Sequence, residues 1–169
     1  MHLPGLSALL AAARVEAEEE MIIVGIDPGQ KGGIAIIHEL GIEAHPMPMA
    51  GKEIDGRAIG AMLSSFREAL VIVEKVHAMP KQGVSSTFKF GSNYGRILGV
   101  IEALNMSYEL VTPQAWKKVV LSGTDKGKTA AVEFVHRRYP AIDLMPGRMR
   151  THHDGMADAV CIAEYGRTL

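Results

Sequence analysis

The 169-residue sequence predicts an α/β fold in which a five-stranded mixed sheet is flanked by helices. Three observations carry that prediction. Apolar, β-branched runs of strand length stand at 21–26, 32–37, 41–45, 70–76 and 108–111. The first three follow one another across short turn segments, as a hairpin and a third strand do, whereas helical spacing separates the later ones. An acidic residue, Asp27 or Glu74, ends two of the runs, and a pair, Asp154 and Asp158, opens the last helical stretch.

Residues 1–20 stand apart. Leu6, Leu9, Leu10 and Ala13 have helical spacing, and Glu16, Glu18, Glu19 and Glu20 follow. The stretch lacks the basic start and small-residue cleavage site of a signal peptide. It reads as an N-terminal extension, an added amphipathic helix or the product of an upstream start codon, ahead of one domain at 21–169.

MIIVGIDPGQKGGIAIIH, residues 21–38, opens the domain as a hairpin with a Gly-rich connection. A carboxylate at the end of a buried strand is costly unless paired, and a metal ion is one such partner. An aspartate before Pro-Gly can also hydrogen-bond its own turn. Pro46 and Pro48 close the third strand. Residues 54–70 read as a helix with Ile59, Met62, Leu63, Phe66 and Leu70 on one face. LVIVEKV, residues 70–76, is the next buried strand, and Glu74 stands where its apolar run ends. If the two strands are parallel neighbours, Asp27 and Glu74 lie close together.

HAMPKQGVSSTFKFG, residues 77–91, reads as a Gly/Ser-rich loop in which Lys81 and Lys89 alternate with Phe88 and Phe90. Basic and aromatic residues together suit phosphate contact and base stacking, although phenylalanines here can also anchor the next helix. Residues 92–104 are helical, with Ile97, Leu98, Ile101 and Leu104 on the apolar face. Gly91, Gly95 and Gly99 recur every four residues, a spacing that permits close approach of another backbone. After the strand at 108–111, Thr112 and Pro113 form the N-cap and first position of a helix that carries Trp116, Lys117 and Lys118. SGTDKGK, residues 122–128, precedes a helix at 129–139. Its glycine–lysine spacing does not meet the Walker pattern, which excludes a P-loop. A linker at 139–150 leads to the last helix, where Asp154 and Asp158 share one face. His153 is a possible metal ligand beside them, and His152 reads as structural.

Composition narrows the function classes. Apolar residues make up 47% of the chain and charged residues 22%, as in globular proteins. The single Cys161 excludes an internal disulfide framework and fits a reducing, cytoplasmic setting. No apolar run approaches membrane-spanning length. The net charge of −1 hides an asymmetry: between Lys75 and Arg150 there are 12 basic and 5 acidic residues, or +7. A local basic field inside a near-neutral chain fits a polyanion contacted on one face.

Six segments in order, GIDPGQKGG (25–33), VEK (73–75), FKFGSNYG (88–95), TPQAWKK (112–118), GTDKGK (123–128) and HDGMADA (153–159), resemble the RuvC-type Holliday junction resolvases, and in particular the compact bacteriophage forms. The likeness runs from about Met21 to Gly166. It implies a ribonuclease H-like fold and a metal-dependent endonuclease that resolves four-way DNA junctions by paired phosphodiester hydrolysis. It implies a catalytic and metal-binding quartet at Asp27, Glu74, Asp154 and Asp158. The implied cofactor is a pair of Mg²⁺ ions about 3.5–4 Å apart, replaceable by Mn²⁺. The implied DNA contacts are Lys75, His77, Lys81, Phe88, Lys89, Phe90, Arg96, Lys117, Lys118, Lys126 and Lys128. A two-fold junction implies a homodimer, for which the helix at 92–104 is one candidate interface. Two departures stand out. Many family members place the last two ligands three residues apart, which falls on Gly155 here, so Asp154 or His153 must serve. His77 stands where several relatives carry an aromatic wedge, and Phe88 and Phe90 are alternatives.

Other readings fit the same residues. A broader fork- and flap-cutting nuclease shares all these features. A non-catalytic nucleic-acid-binding module would use the acids structurally. An actin-like or kinase-like nucleotide hydrolase needs a second phosphate hairpin and a second domain, for which this chain is too short; no nucleotide cofactor is expected.

Overall fold

The computed structural model describes residues 21–76, 83–124 and 127–169. The N-terminal extension, His77, Lys81 and Lys126 lie outside them. Five strands form the main sheet: β1 (Ile23–Asp27), β2 (Gly33–His38), β3 (Gly41–Pro46), β6 (Leu70–Glu74) and β7 (Tyr108–Val111), in the order β3-β2-β1-β6-β7. β1, β2 and β3 pair antiparallel, while β6 and β7 join β1 in parallel. This is the five-stranded mixed sheet expected from the sequence.

Strand alternation divides the core. Val24, Ile26, Ile34, Ile36, Val71 and Val73 point to one face, where they pack with Ile59 and Leu63 of α1 (Gly56–Leu63) and Ile97 and Ile101 of α2 (Val84–Ala103). Ile23, Ala35, Ile37, Ile72 and Val111 point to the other. There they meet α3 (Pro113–Val120), α4 (Ala130–Arg138) and α5 (Asp154–Gly166). Among the described residues no helix is long and apolar enough to cross a membrane.

α5 lies almost on the sheet. A Cβ on Gly25 would stand 2.3 Å from both the Ala159 carbonyl oxygen and the Ala163 nitrogen. The small residues Ala157, Ala159 and Ala163, all fully buried, are what this approach requires.

Three expectations change. Residues 54–70 are not one helix. Ile54 belongs to a small hairpin, β4 (Met49–Ala50) with β5 (Glu53–Ile54), turned at Gly51 with φ +65°. The Asp55 side chain then caps α1 by accepting from the Arg57 and Ala58 amides, and the helix gives way to a 3₁₀ turn at Ser64–Phe66. The stretch 77–91 is not a continuous loop, because α2 starts at Val84. Its C-terminal half is anchored by buried Ile97 and Ile101, and each residue added to an existing helix gains a hydrogen bond, so the helix runs back to Gly83. Among the described residues no strand or helix approaches the glycines of α2, since a Cβ at Gly91, Gly95 or Gly99 meets nothing within 4 Å.

Candidate active site

β1 and β6 are parallel neighbours with Ile26 opposite Val73, so Asp27 and Glu74 follow at adjacent strand ends. Period-two alternation puts both on the α5 face, in step with Ile23 and Ile72. The N-terminal half of α5 brings Asp154 and Asp158. Its start is docked by a backbone bridge between Gly32 and Gly155, at the turn that follows Asp27.

This docking explains the departure at Gly155. A Cβ there would lie 2.1 Å from the Lys31 carbonyl oxygen and 2.5 Å from Gly32 Cα. No side chain of any kind fits, so a carboxylate can enter only from a neighbouring position. Asp154 is the exposed first residue of the helix and lines a cleft with Asp158. His153 is the N-cap: its Nδ1 accepts from the Met156 amide at 3.1 Å, which leaves only Nε2 free of that role.

The acids feel one another. Burial, then the charge of Glu74 and more weakly of Asp158, push the Asp27 carboxyl up to about 7, against the pull of the Gly29 amide and Lys117. The Gly29 amide donates to Asp27 Oδ1 at 3.2 Å, so the turn bond expected of an aspartate before Pro-Gly is also present. Burial raises Asp158 to about 6; Lys117 opposes the shift, while Glu74 and Asp154 add to it. Burial and the Asp158 charge also raise the Cys161 thiol, which removes it as a nucleophile.

Glu74 accepts a hydrogen bond at its Oε1 from the indole Nε1 of Trp116, at 2.9 Å. Trp116 is fully buried, and Lys117 Nζ lies 5.0 Å from the centre of its ring. This contact was not read from the sequence. The available signal was a tryptophan one turn into a helix leaving a strand end, because a buried indole N–H needs an acceptor.

A cleft of about 270 Å³ opens beside the acids, lined by Lys117, Leu121, Gly127, Lys128, Ala131, Val132, Asp154 and Asp158. Of the sequence-predicted basic contacts, Lys117 and Lys128 thus line the cleft with Asp154 and Asp158, and the charge of Lys117 acts on Asp27 and Asp158. Lys118 and Lys75 are exposed, Lys75 just beyond β6. Lys89 and Phe88 are exposed on the first turns of α2, Phe88 to 74%, and Phe90 is half-buried. Arg96 is occupied elsewhere: its Nη1 donates to the Ile54 carbonyl at 2.7 Å and lies 3.5 Å from Glu53. Asn93 Oδ1 accepts from the Ile54 amide at 3.2 Å, so the two residues tie the small hairpin to α2.

Among the described residues, no three His, Cys, Asp and Glu side chains stand arranged to hold one metal ion. The donor chemistry still suits a hard divalent cation. The acids offer only carboxylate oxygens, and a cation would relieve the desolvation and mutual repulsion that raise Asp27 and Asp158.

No family model matches the chain, and no curated relative does either. Solved structures are similar. The chain superposes on T. thermophilus RuvC in complex with a Holliday junction substrate with a TM-score of 0.61 at 18% identity, over 86% of this chain and 92% of that one. A further Thermus thermophilus RuvC structure gives a TM-score of 0.55 at 18% identity over the same shares, 86% and 92%. The yeast mitochondrial Holliday junction resolvase Ydc2 gives 0.52 at 14% identity, over 96% of this chain and 85% of that one. The fold is therefore the ribonuclease H-like fold of these structural neighbours.

Proposed function

We propose that this chain is a metal-dependent, structure-selective DNA endonuclease that resolves four-way junctions by paired phosphodiester hydrolysis. The observation that carries the reading is the meeting of Asp27, Glu74 and Asp158 from two adjacent strand ends and one helix, close enough that the charge of Glu74 helps to raise the Asp27 and Asp158 carboxyls. The neighbours' own substrates and the six sequence segments support the choice of junction DNA.

In this reading Asp27, Glu74, Asp154 and Asp158 would hold divalent cations, Mg²⁺ or Mn²⁺, two to a site, and such cations would supply Lewis acidity toward the scissile phosphate. The residues of the chain do the remaining work. The buried strand ends keep Asp27 and Glu74 at a fixed spacing. Asp27, with its carboxyl near 7, gives up a proton as cations arrive, so cation affinity rises with pH. Lys117 and Lys128 hold the phosphate backbone over the acids, and Lys118, Lys89 and Phe88 extend the contact along the arms of the junction. Two copies of the chain match the two-fold symmetry of the substrate. The setting is the cytoplasm of a bacterium or of a phage-infected host, as for the compact phage enzymes.

The test is cleavage of an immobile four-way junction, beside linear duplex, forks and flaps, with Mg²⁺, Mn²⁺ or EDTA. Paired, cation-dependent nicks on the junction alone are the expected result. Equal cutting of forks and flaps would make the protein a general debranching nuclease. Tight binding without any cut would overturn the enzymatic reading and leave a DNA-binding module.

A further inference from the structure

Trp116 is the only tryptophan of the chain. Thr112 caps α3 by accepting from the Ala115 amide at 3.3 Å, which sets the first turn and directs the next residue inward. The ring packs into the core on the α5 side of the sheet and is fully buried. The polar edge of the indole has one partner, Glu74 Oε1, at 2.9 Å. The ring also carries Lys117 Nζ 5.0 Å from its centre. One rigid side chain therefore touches an acid and a lysine of the same site.

We infer that Trp116 is a positioning residue: its Nε1–H holds Glu74 by Oε1, sets the plane of the carboxylate and leaves Oε2 for the ligand of the site. A glutamate has three rotatable side-chain bonds, and without a partner its carboxylate samples several orientations. A donor fixed in the core removes that freedom before any ligand arrives. Indirect partners of this kind commonly change cation affinity 10–100-fold when lost. The inference rests on the proposed cation-binding reading of the acids. It goes beyond that reading by assigning the orientation of one acid to a residue that touches neither cation nor DNA.

The experiment uses Mn²⁺ with the full chain. Binding is read by the loss of free Mn²⁺ signal in electron paramagnetic resonance. The single indole N–H resonance in a ¹⁵N-labelled sample is followed during a parallel Mg²⁺ titration. In the wild type, the indole resonance is expected to shift with Mg²⁺ and Mn²⁺ to bind. Trp116→Phe is expected to raise the Mn²⁺ dissociation constant at least about 10-fold. Removing Trp116 from a Glu74→Ala background is expected to cause no further loss, because the indole acts only through that carboxylate. If Trp116→Phe fails to fold, biosynthetic replacement of the tryptophan by its benzothienyl analogue removes the N–H with little change of shape, and the same measurement decides. Equal Mn²⁺ binding with and without the N–H overturns the inference, as does an equal deficit in the Glu74→Ala background. A wild type that binds no Mn²⁺ and shows no indole shift overturns the cation reading itself, which separates the two failures.

Discussion

Asp27 and Gly155 are the two residues on which the site turns, for opposite reasons. Asp27 is placed by a strand whose every other residue is core, and its carboxyl is held near 7 by burial and by Glu74. Asp27→Asn is expected to lower single-turnover junction cleavage at least ~10³-fold, a loss of several kcal/mol of transition-state stabilisation. Junction affinity in a gel-shift assay should hold or improve, because a negative charge near phosphate is gone. Gly155 works by having no side chain. Gly155→Ala forces a Cβ against the Lys31 carbonyl and Gly32 Cα, both backbone. A cost of at least about 3 kcal/mol in denaturant unfolding is expected, with Asp154 carried out of position. The place of Asp27 at a strand end was legible from an apolar run ending in an acid before Pro-Gly. The reason for Gly155 was not, since nothing local says that residue 155 meets the turn at Lys31.

At the scale of elements, residues 54–70 and α2 depart from expectation, and α3 holds its place but divides its side chains in an unforeseen way. The loop-like composition of 83–91 is overridden by its attachment to a helix that the core holds at Ile97 and Ile101. α3 was legible as a capped helix, but its division of labour was not. Trp116 turns into the core, Lys117 into the cleft and Lys118 toward solvent. Lys128, at the approach to α4, faces the same cleft as Lys117. Replacing Lys117 and Lys128 together by alanine is expected to weaken junction binding. The slope of log affinity against log salt should become shallower by about 2, roughly one per phosphate contact. Fluorescence anisotropy between low and moderate salt checks this, and an unchanged slope would show that neither lysine meets phosphate.

For the molecule as a whole, the raised carboxyls predict how stability follows pH. The ordinary aspartate value is 3.8, and the folded values are about 7 for Asp27 and about 6 for Asp158. The folded state therefore binds these protons more tightly than the unfolded chain does. The stabilisation is complete below about pH 4 and is lost as pH rises to about 6 for Asp158 and about 7 for Asp27. At about 1.4 kcal/mol per unit of difference, the contribution is a few kcal/mol. In chelator, the melting temperature set by these groups should fall from pH 5 to pH 8. Asp27→Asn should flatten that fall, and Mg²⁺ or Mn²⁺ should raise the melting temperature more at pH 8 than at pH 5. Differential scanning calorimetry gives all three.

What the sequence determined by itself was local and periodic. Runs of apolar residues set the strand positions, and the cap at Thr112 and the acids at strand ends could be read in place. That β1 and β6 are parallel neighbours came from the structure; the sequence showed only that Asp27 and Glu74 would meet if they were. Only the tertiary structure decided which atoms meet. The indole bond to Glu74, the exclusion of any side chain at Gly155 and the capture of Arg96 by Ile54 all join residues far apart in the chain. Such contacts depend on how closely α5, α3 and α2 approach the sheet, and those distances are set by packing, which local sequence pattern does not encode.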